Sequence, residues 1–135
     1  MERIVYLDTH AVVWLYAGRL DLFPSGIRRV LEEDSLAISP IILLELQYLL
    51  EVGKIKARPE IILGCLHQTI GLNLAQQDFI KVVTASIMED WTRDPFDRII
   101  VAQAQLTQSL LITKDGTIHK HYKKAIWTIK DGDTK

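Results

Sequence analysis

The stretch RIVYLDTHAVVWLYAG, Arg3 to Gly18, changes periodicity at a single acid. RIVYLD is a compact apolar run that ends on Asp8 and reads as a β-strand buried on both faces. THAVVWLYAG takes up helical spacing at once and stops at Gly18. A strand feeding directly into a helix is half of a βαβ unit, and here it leaves Asp8 at the strand's carboxyl end.

The alternation continues outward from this start. PSGIRRVLEED predicts a helix with Val30 and Leu31 inward and its charges outside, followed by the short strand SLAIS. Ser39 then Pro40 supplies an N-cap and a first-turn proline for PIILLELQYLLEVG, which runs to Gly53 as its C′ residue. A proline-led helix, PEIILGCLHQTI, precedes the strand GLNLAQ. QDFIKVVTASIMED carries Phe79, Ile80, Val83 and Ile87 at amphipathic spacing. A helix over 94–106, the strand SLLITKD ending in Asp115 and the last strand AIWTIK complete the chain. This pattern predicts a doubly wound, three-layer α/β sandwich with a central, mostly parallel sheet of four or five short strands. Residues 1–130 are expected to form one domain and 131–135 a polar tail. The active site of such a sheet lies beyond the carboxyl ends of its strands.

Composition narrows the function classes. The 135 residues are 48% apolar with a net charge of −1, which argues against a generically basic nucleic-acid binder. No apolar run approaches the ~18 residues of a membrane span, and MERIVYLDTH lacks the features of a signal peptide. The single cysteine, Cys65 in IILGCLH, reads as a buried structural thiol in a reducing cytoplasm. The segment KDGTIHKHYKK, Lys114 to Lys124, concentrates positive charge and is either a solvated face or a phosphate-contacting patch.

The acids carry the chemistry. Asp8 and Asp115 each close a strand, so a parallel sheet places both on its functional edge; each also fits the cap of the following helix. Glu45 sits among Ile42, Leu43, Leu44, Leu46, Leu49 and Leu50 and caps nothing. It either follows a narrow polar stripe or points into a shared cleft, where an unpaired carboxylate is costly. In RDPFDRII, Asp94 and Pro95 match N-cap and N1, and Asp97 falls at N3. An acid there favours the helix dipole and also stands at the helix end, within reach of a cation.

Four acids converging on one edge repel unless cations neutralise them. Oxygen donors without a Cys/His cluster favour Mg2+ or Mn2+ over zinc. His10, His67, His119 and His121 show no metal-ligand spacing and read as surface or packing residues. No Gly-rich phosphate loop, GxSxG elbow or dinucleotide fingerprint is present. Metal-assisted phosphodiester hydrolysis is the leading reading. A phosphotransfer domain with Asp8 as acceptor is the second, although a DxD phosphatase would need an acid where His10 stands. A catalytically silent interaction module is the third.

The order YLDTHAVVWL, SPIILLELQYL, DPFDRIIVAQA and LLITKDGTI, spread over nearly the whole chain, resembles the PIN-domain ribonucleases, and within them the VapC-type toxins of type II toxin–antitoxin pairs. The resemblance implies a Mg2+- or Mn2+-dependent endoribonuclease whose acidic cluster is Asp8, Glu45, Asp97 and Asp115. Asp8 and Asp97 would be the firmest ligands, Glu45 would bind directly or orient the attacking water, and Asp115 would complete the pocket. Asp94 would cap and adjoin the site, and Thr9 and Thr113 would orient a ligand or water. Arg93, Arg98 and Lys114 become candidate RNA-phosphate contacts; Lys120, Lys123 and Lys124 join them on charge alone. The resemblance also implies a homodimer and a VapB-type antitoxin, which Trp14, Leu15 and Tyr16 would meet if they are not in the core. PIN nucleases of RNA processing that are not toxins share the same acids.

Overall fold

The structure, a computed structural model, describes residues 3–128. The proposed tail and the last residues of AIWTIK lie outside them. In chain order the elements are β1 (Ile4–Leu7), α1 (Thr9–Tyr16), a 3-10 turn (Leu20–Leu22), α2 (Ser25–Glu33), β2 (Ser35–Ile38), α3 (Ile41–Glu51) and α4 (Pro59–Ile70). They continue with β3 (Asn73–Leu74), α5 (Phe79–Ser86), α6 (Pro95–Leu106), β4 (Leu111–Ile112), α7 (Gly116–His121) and β5 (Ala125–Ile126).

The strands form one sheet in the order β3-β2-β1-β4-β5, with every neighbouring pair parallel. In β1, Val5 pairs with Leu36 on one side and Tyr6 with Leu111 on the other. Helical crossovers then carry the chain from β1 to β2 and β3, and back past β1 to β4 and β5. The direction of winding therefore reverses between β1 and β4. That junction is the crevice in which doubly wound sheets bind ligands, and Asp8 and Thr113 follow its two strands directly.

The core explains why such short strands hold. Val5, Leu7, Leu36, Ile38, Leu111 and Ile112 are all buried, and Ile27, Ile42, Leu46, Ile100 and Ile118 close over them from the helices. Each such side chain contributes roughly 1.5–3 kcal/mol when fully buried. Gly18 and Gly53 end their helices at φ of 73° and 83°, the left-handed conformation that glycine adopts without steric cost. Val30 and Leu31 face inward as the charge pattern of α2 requires.

Three expectations are corrected. Cys65 is exposed, because α4 buries Ile62 and Leu66 instead. On α5 the buried positions are Val82 and Ser86, and the apolar stripe turns outward: Phe79 is 75%, Ile80 72% and Ile87 64% exposed. Helix α3 buries only Ile42 and Leu46, leaving Leu44 and Tyr48 exposed, so its leucines do not enclose Glu45 on all sides.

Candidate active site

Asp8 is the anchor of the carboxyl edge. It is buried, and its Oδ1 accepts the Thr9 backbone N–H at 2.7 Å as the cap of α1. Its Oδ2 accepts the Thr113 hydroxyl at 2.7 Å, while its own N–H donates to the Ile112 carbonyl at 3.0 Å. The Thr113 oxygen in turn accepts the Asp115 N–H at 3.0 Å. One fully buried hydroxyl thus ties the acid after β1 to the loop carrying the acid after β4. Thr113→Val keeps the shape and strips both bonds from groups shielded from water. Urea denaturation should show a loss of about 1–3 kcal/mol; unchanged stability would mean that the hydroxyl is not what joins the strand ends.

Glu45 reaches the same edge from α3. It is half-buried and accepts a hydrogen bond from the Thr9 hydroxyl, which decides for the shared cleft over the polar stripe. Burial raises its pKa; the Thr9 bond opposes this, and the Asp8 and Asp94 charges add to it. Asp94 caps α6, with Oδ1 accepting from Phe96 N–H at 2.8 Å and Asp97 N–H at 3.4 Å. Asp97, in the first turn of α6, is pushed up to about 7, first by burial and then by the charges of Asp94, Asp8, Asp115 and Glu45. Asp115 caps α7 through Thr117 and Ile118 N–H at 2.8 and 3.1 Å. The fold therefore gathers acids from the ends of β1 and β4, from α3 and from α6.

The donor set, Asp8, Glu45, Asp97 and Asp115, is one of carboxylate oxygens and suits a hard divalent cation, and Asp97 feels the charges of the other three. Among the described residues, however, no three His, Cys, Asp or Glu side chains form a ready-made metal group. Asp8, Glu45 and Asp115 each lean on the local donors just described, and their charges still reach Asp97. A cation of suitable size would relieve this repulsion by drawing them in.

Residues 5–124 match the PIN domain. The chain belongs to the PIN domain family. Several solved structures share the fold. A chain of VapBC2 from Rickettsia felis, bound to a DNA fragment from its promoter, superposes with a TM-score of 0.65 at 20% identity, over 93% of this chain and 99% of its own. VapBC-1 from nontypeable Haemophilus influenzae gives 0.63 at 17% identity, over 93% and 96% of the two chains. DNA-bound VapBC from Salmonella typhimurium gives 0.59 at 20%, over 92% and 95%. No curated protein sequence matches the chain.

Around the acids of this PIN domain the cations divide into two groups. Arg98 donates to the Thr92 carbonyl at 2.8 Å and Arg93 to the Asp90 carbonyl at 3.2 Å, so both brace the loop leading into α6. Lys114, Lys120, Lys123 and Lys124 are exposed, with the Lys114 ammonium 5.9 Å above the Trp14 ring.

His10, which the absence of metal-ligand spacing had set aside, belongs to the site. Its Nε2 accepts the Lys114 N–H at 3.0 Å, which leaves the proton of the neutral ring on Nδ1, 3.6 Å from Asp8 Oδ2. Burial lowers its pKa against the pull of Asp8 and Asp115. Trp14 and Trp127 pack on the ring at 4.9 and 6.2 Å. The signal was its position: two residues after a strand-end acid, on the first turn of the next helix. Trp14 and Leu15 are half-buried against the core, whereas Tyr16 is exposed.

Proposed function

We propose that the protein is a divalent-metal-dependent endoribonuclease acting on RNA phosphodiester bonds, and that it is the toxin of a VapBC-type pair. The observation that carries the nuclease reading is the convergence of Asp8, Glu45, Asp97 and Asp115 on the sheet's switch point, where burial first and then the neighbouring acids raise the Asp97 carboxyl. Membership of the PIN family supports it. A Mg2+ or Mn2+ ion held by Asp8 and Asp97, with Glu45 and Asp115 completing the pocket, would supply positive charge to the phosphodiester oxygens and acidify the attacking water. The chain's own parts set the geometry. Thr113 and Thr9 fix the Asp8 carboxylate, Asp94 fixes the angle of α6 and so of Asp97, and Glu45 orients the water and receives its proton. Lys114, Lys120, Lys123 and Lys124 hold the flanking phosphates.

The toxin assignment rests on the motif order and on the VapBC structures that share the fold. A cytoplasmic, antitoxin-bound toxin also needs protein-binding surfaces. The outward stripe of α5 offers a second copy an apolar face. A groove lined by Leu15, Leu20, Leu31 and Ile70, with Arg28 and Glu32 at hand, offers one to a VapB-type partner. Among the described residues no helix is long and apolar enough to cross a membrane. A PIN nuclease of RNA processing is the second reading, because the same acids serve it.

Expression in a bacterium separates the two. Wild type should arrest growth, Asp8→Asn should not, and purified wild type should cut RNA. Unimpeded growth with RNA cleavage intact would favour the processing nuclease; no cleavage of any RNA would overturn both.

A further inference from the structure

Beside the acids lies a feature that the hydrolytic chemistry does not use. The Trp91 and His121 rings stack almost in parallel, with centroids 5.0 Å apart and planes 7° from coplanar. The indole is locked in place: its Nε1–H donates to Glu89 at 2.7 Å, and Glu89 is buried. The imidazole is held by Nδ1 against the Thr117 carbonyl at 3.0 Å, yet His121 remains exposed with one face covered by Trp91.

Both rings are tied to the acidic site by short lengths of chain. Trp91 precedes the Asp94 cap by three residues, at most about 10 Å of extended chain. His121 ends the helix that Asp115 begins, about 9 Å along its axis. The stack therefore stands within one or two nucleotides of the acids. Exposed Lys120 shares α7 with His121, and exposed Lys123 and Lys124 follow at once; the exposed acids near Trp91 are Asp90 and Asp94, and Asp94 is engaged as the cap of α6. A rigid π-face beside lysines is the composition of a single-strand binding platform.

We propose that Trp91 and His121 form a base-stacking subsite for an unpaired RNA nucleotide flanking the cleaved bond, with the outer face of His121 receiving the base. The proposal rests on the ribonuclease reading and names how that site grips its substrate. Stacking tolerates any base, so the subsite selects for single strands more than for sequence.

The test measures binding of fluorescent single-stranded RNA to the full chain, together with KM and kcat for its cleavage. His121→Ala should weaken affinity about five- to hundredfold and raise KM, leaving kcat at saturating RNA near wild type. His121→Phe should restore affinity. An oligonucleotide with an abasic residue at the stacked position should bind wild type and His121→Ala alike. RNA cleavage with wild-type affinity in His121→Ala would overturn the subsite and leave the nuclease standing. Failure of the wild type to bind RNA would overturn both.

Discussion

Asp97→Asn should reduce RNA cleavage at least about a hundredfold and should at the same time make the metal-free protein more stable. The two effects have one cause. Asp97 is pushed up to about 7 from a usual value of 3.8, first by burial and then by the charges of Asp94, Asp8, Asp115 and Glu45. Its charge is therefore a cost in the folded chain and is retained for what it holds. The sign follows from linkage: a carboxyl whose folded pKa is raised contributes stability that is fully present below the unfolded pKa and lost as pH rises through the folded one. Between about pH 4 and pH 7 the wild type should lose stability relative to Asp97→Asn, and above pH 7 the gap should be constant. At full value the shift corresponds to about 4 kcal/mol; solvent screening of this partly exposed group brings the expected gap to about 1–2 kcal/mol. Thermal unfolding at pH 4 and pH 8 in chelator checks it. A variant less stable than wild type at pH 8 would show that the acids do not crowd Asp97.

Chelation is the second large effect. EDTA should abolish cleavage, and Mg2+ or Mn2+ in excess should restore it, because among the described residues no Lys or Arg forms an ion pair with Asp8, Glu45, Asp97 or Asp115. Lys114 lies over Trp14, and Arg93 and Arg98 are committed to backbone carbonyls. The same titration should raise the unfolding temperature of the wild type. A ligand at about a hundred times its dissociation constant adds about 2.7 kcal/mol, if it binds the folded state alone. Asp97→Asn should show much less of this gain. Cleavage that persists in chelator would remove the metal from the account.

Much of this site was legible in the chain because its logic is local. An acid at the end of a buried strand, in a parallel sheet, can only stand at the carboxyl edge, which places Asp8; the strand expected to run to Asp115 ends at Ile112, and Asp115 reaches that edge as the cap of α7. Asp94-Pro95 was readable as a cap for the same reason, and the cap sets where Asp97 stands. Glu45 was ambiguous, since leucines on every side of a helix do not say which way its acid turns; the Thr9 hydroxyl decides it.

What escaped the sequence depends on contacts between distant residues. Helical spacing in α5 marks an apolar stripe but not its direction, and α6 takes the Val82 and Ser86 side. Apolar neighbours made Cys65 look buried, but the buried stripe of α4 runs through Ile62 and Leu66 and stops short of it, and Ile61 beside it is exposed as well. The Trp91–His121 stack and the tie from His10 to Lys114 join residues far apart in the chain; no local pattern announces the stack, and only the place of His10 two residues after Asp8 hints at the tie.

The central claim is that acids from four elements form one cation site used to cut RNA. Calorimetric titration of Mn2+ at pH 7 into wild-type and Asp97→Asn protein tests it most directly. Wild type should bind with release of protons, because Asp97 is then about half protonated, and Asp97→Asn should bind at least about tenfold more weakly without that release. Equal affinity in the two proteins, or no binding by the wild type, would contradict it.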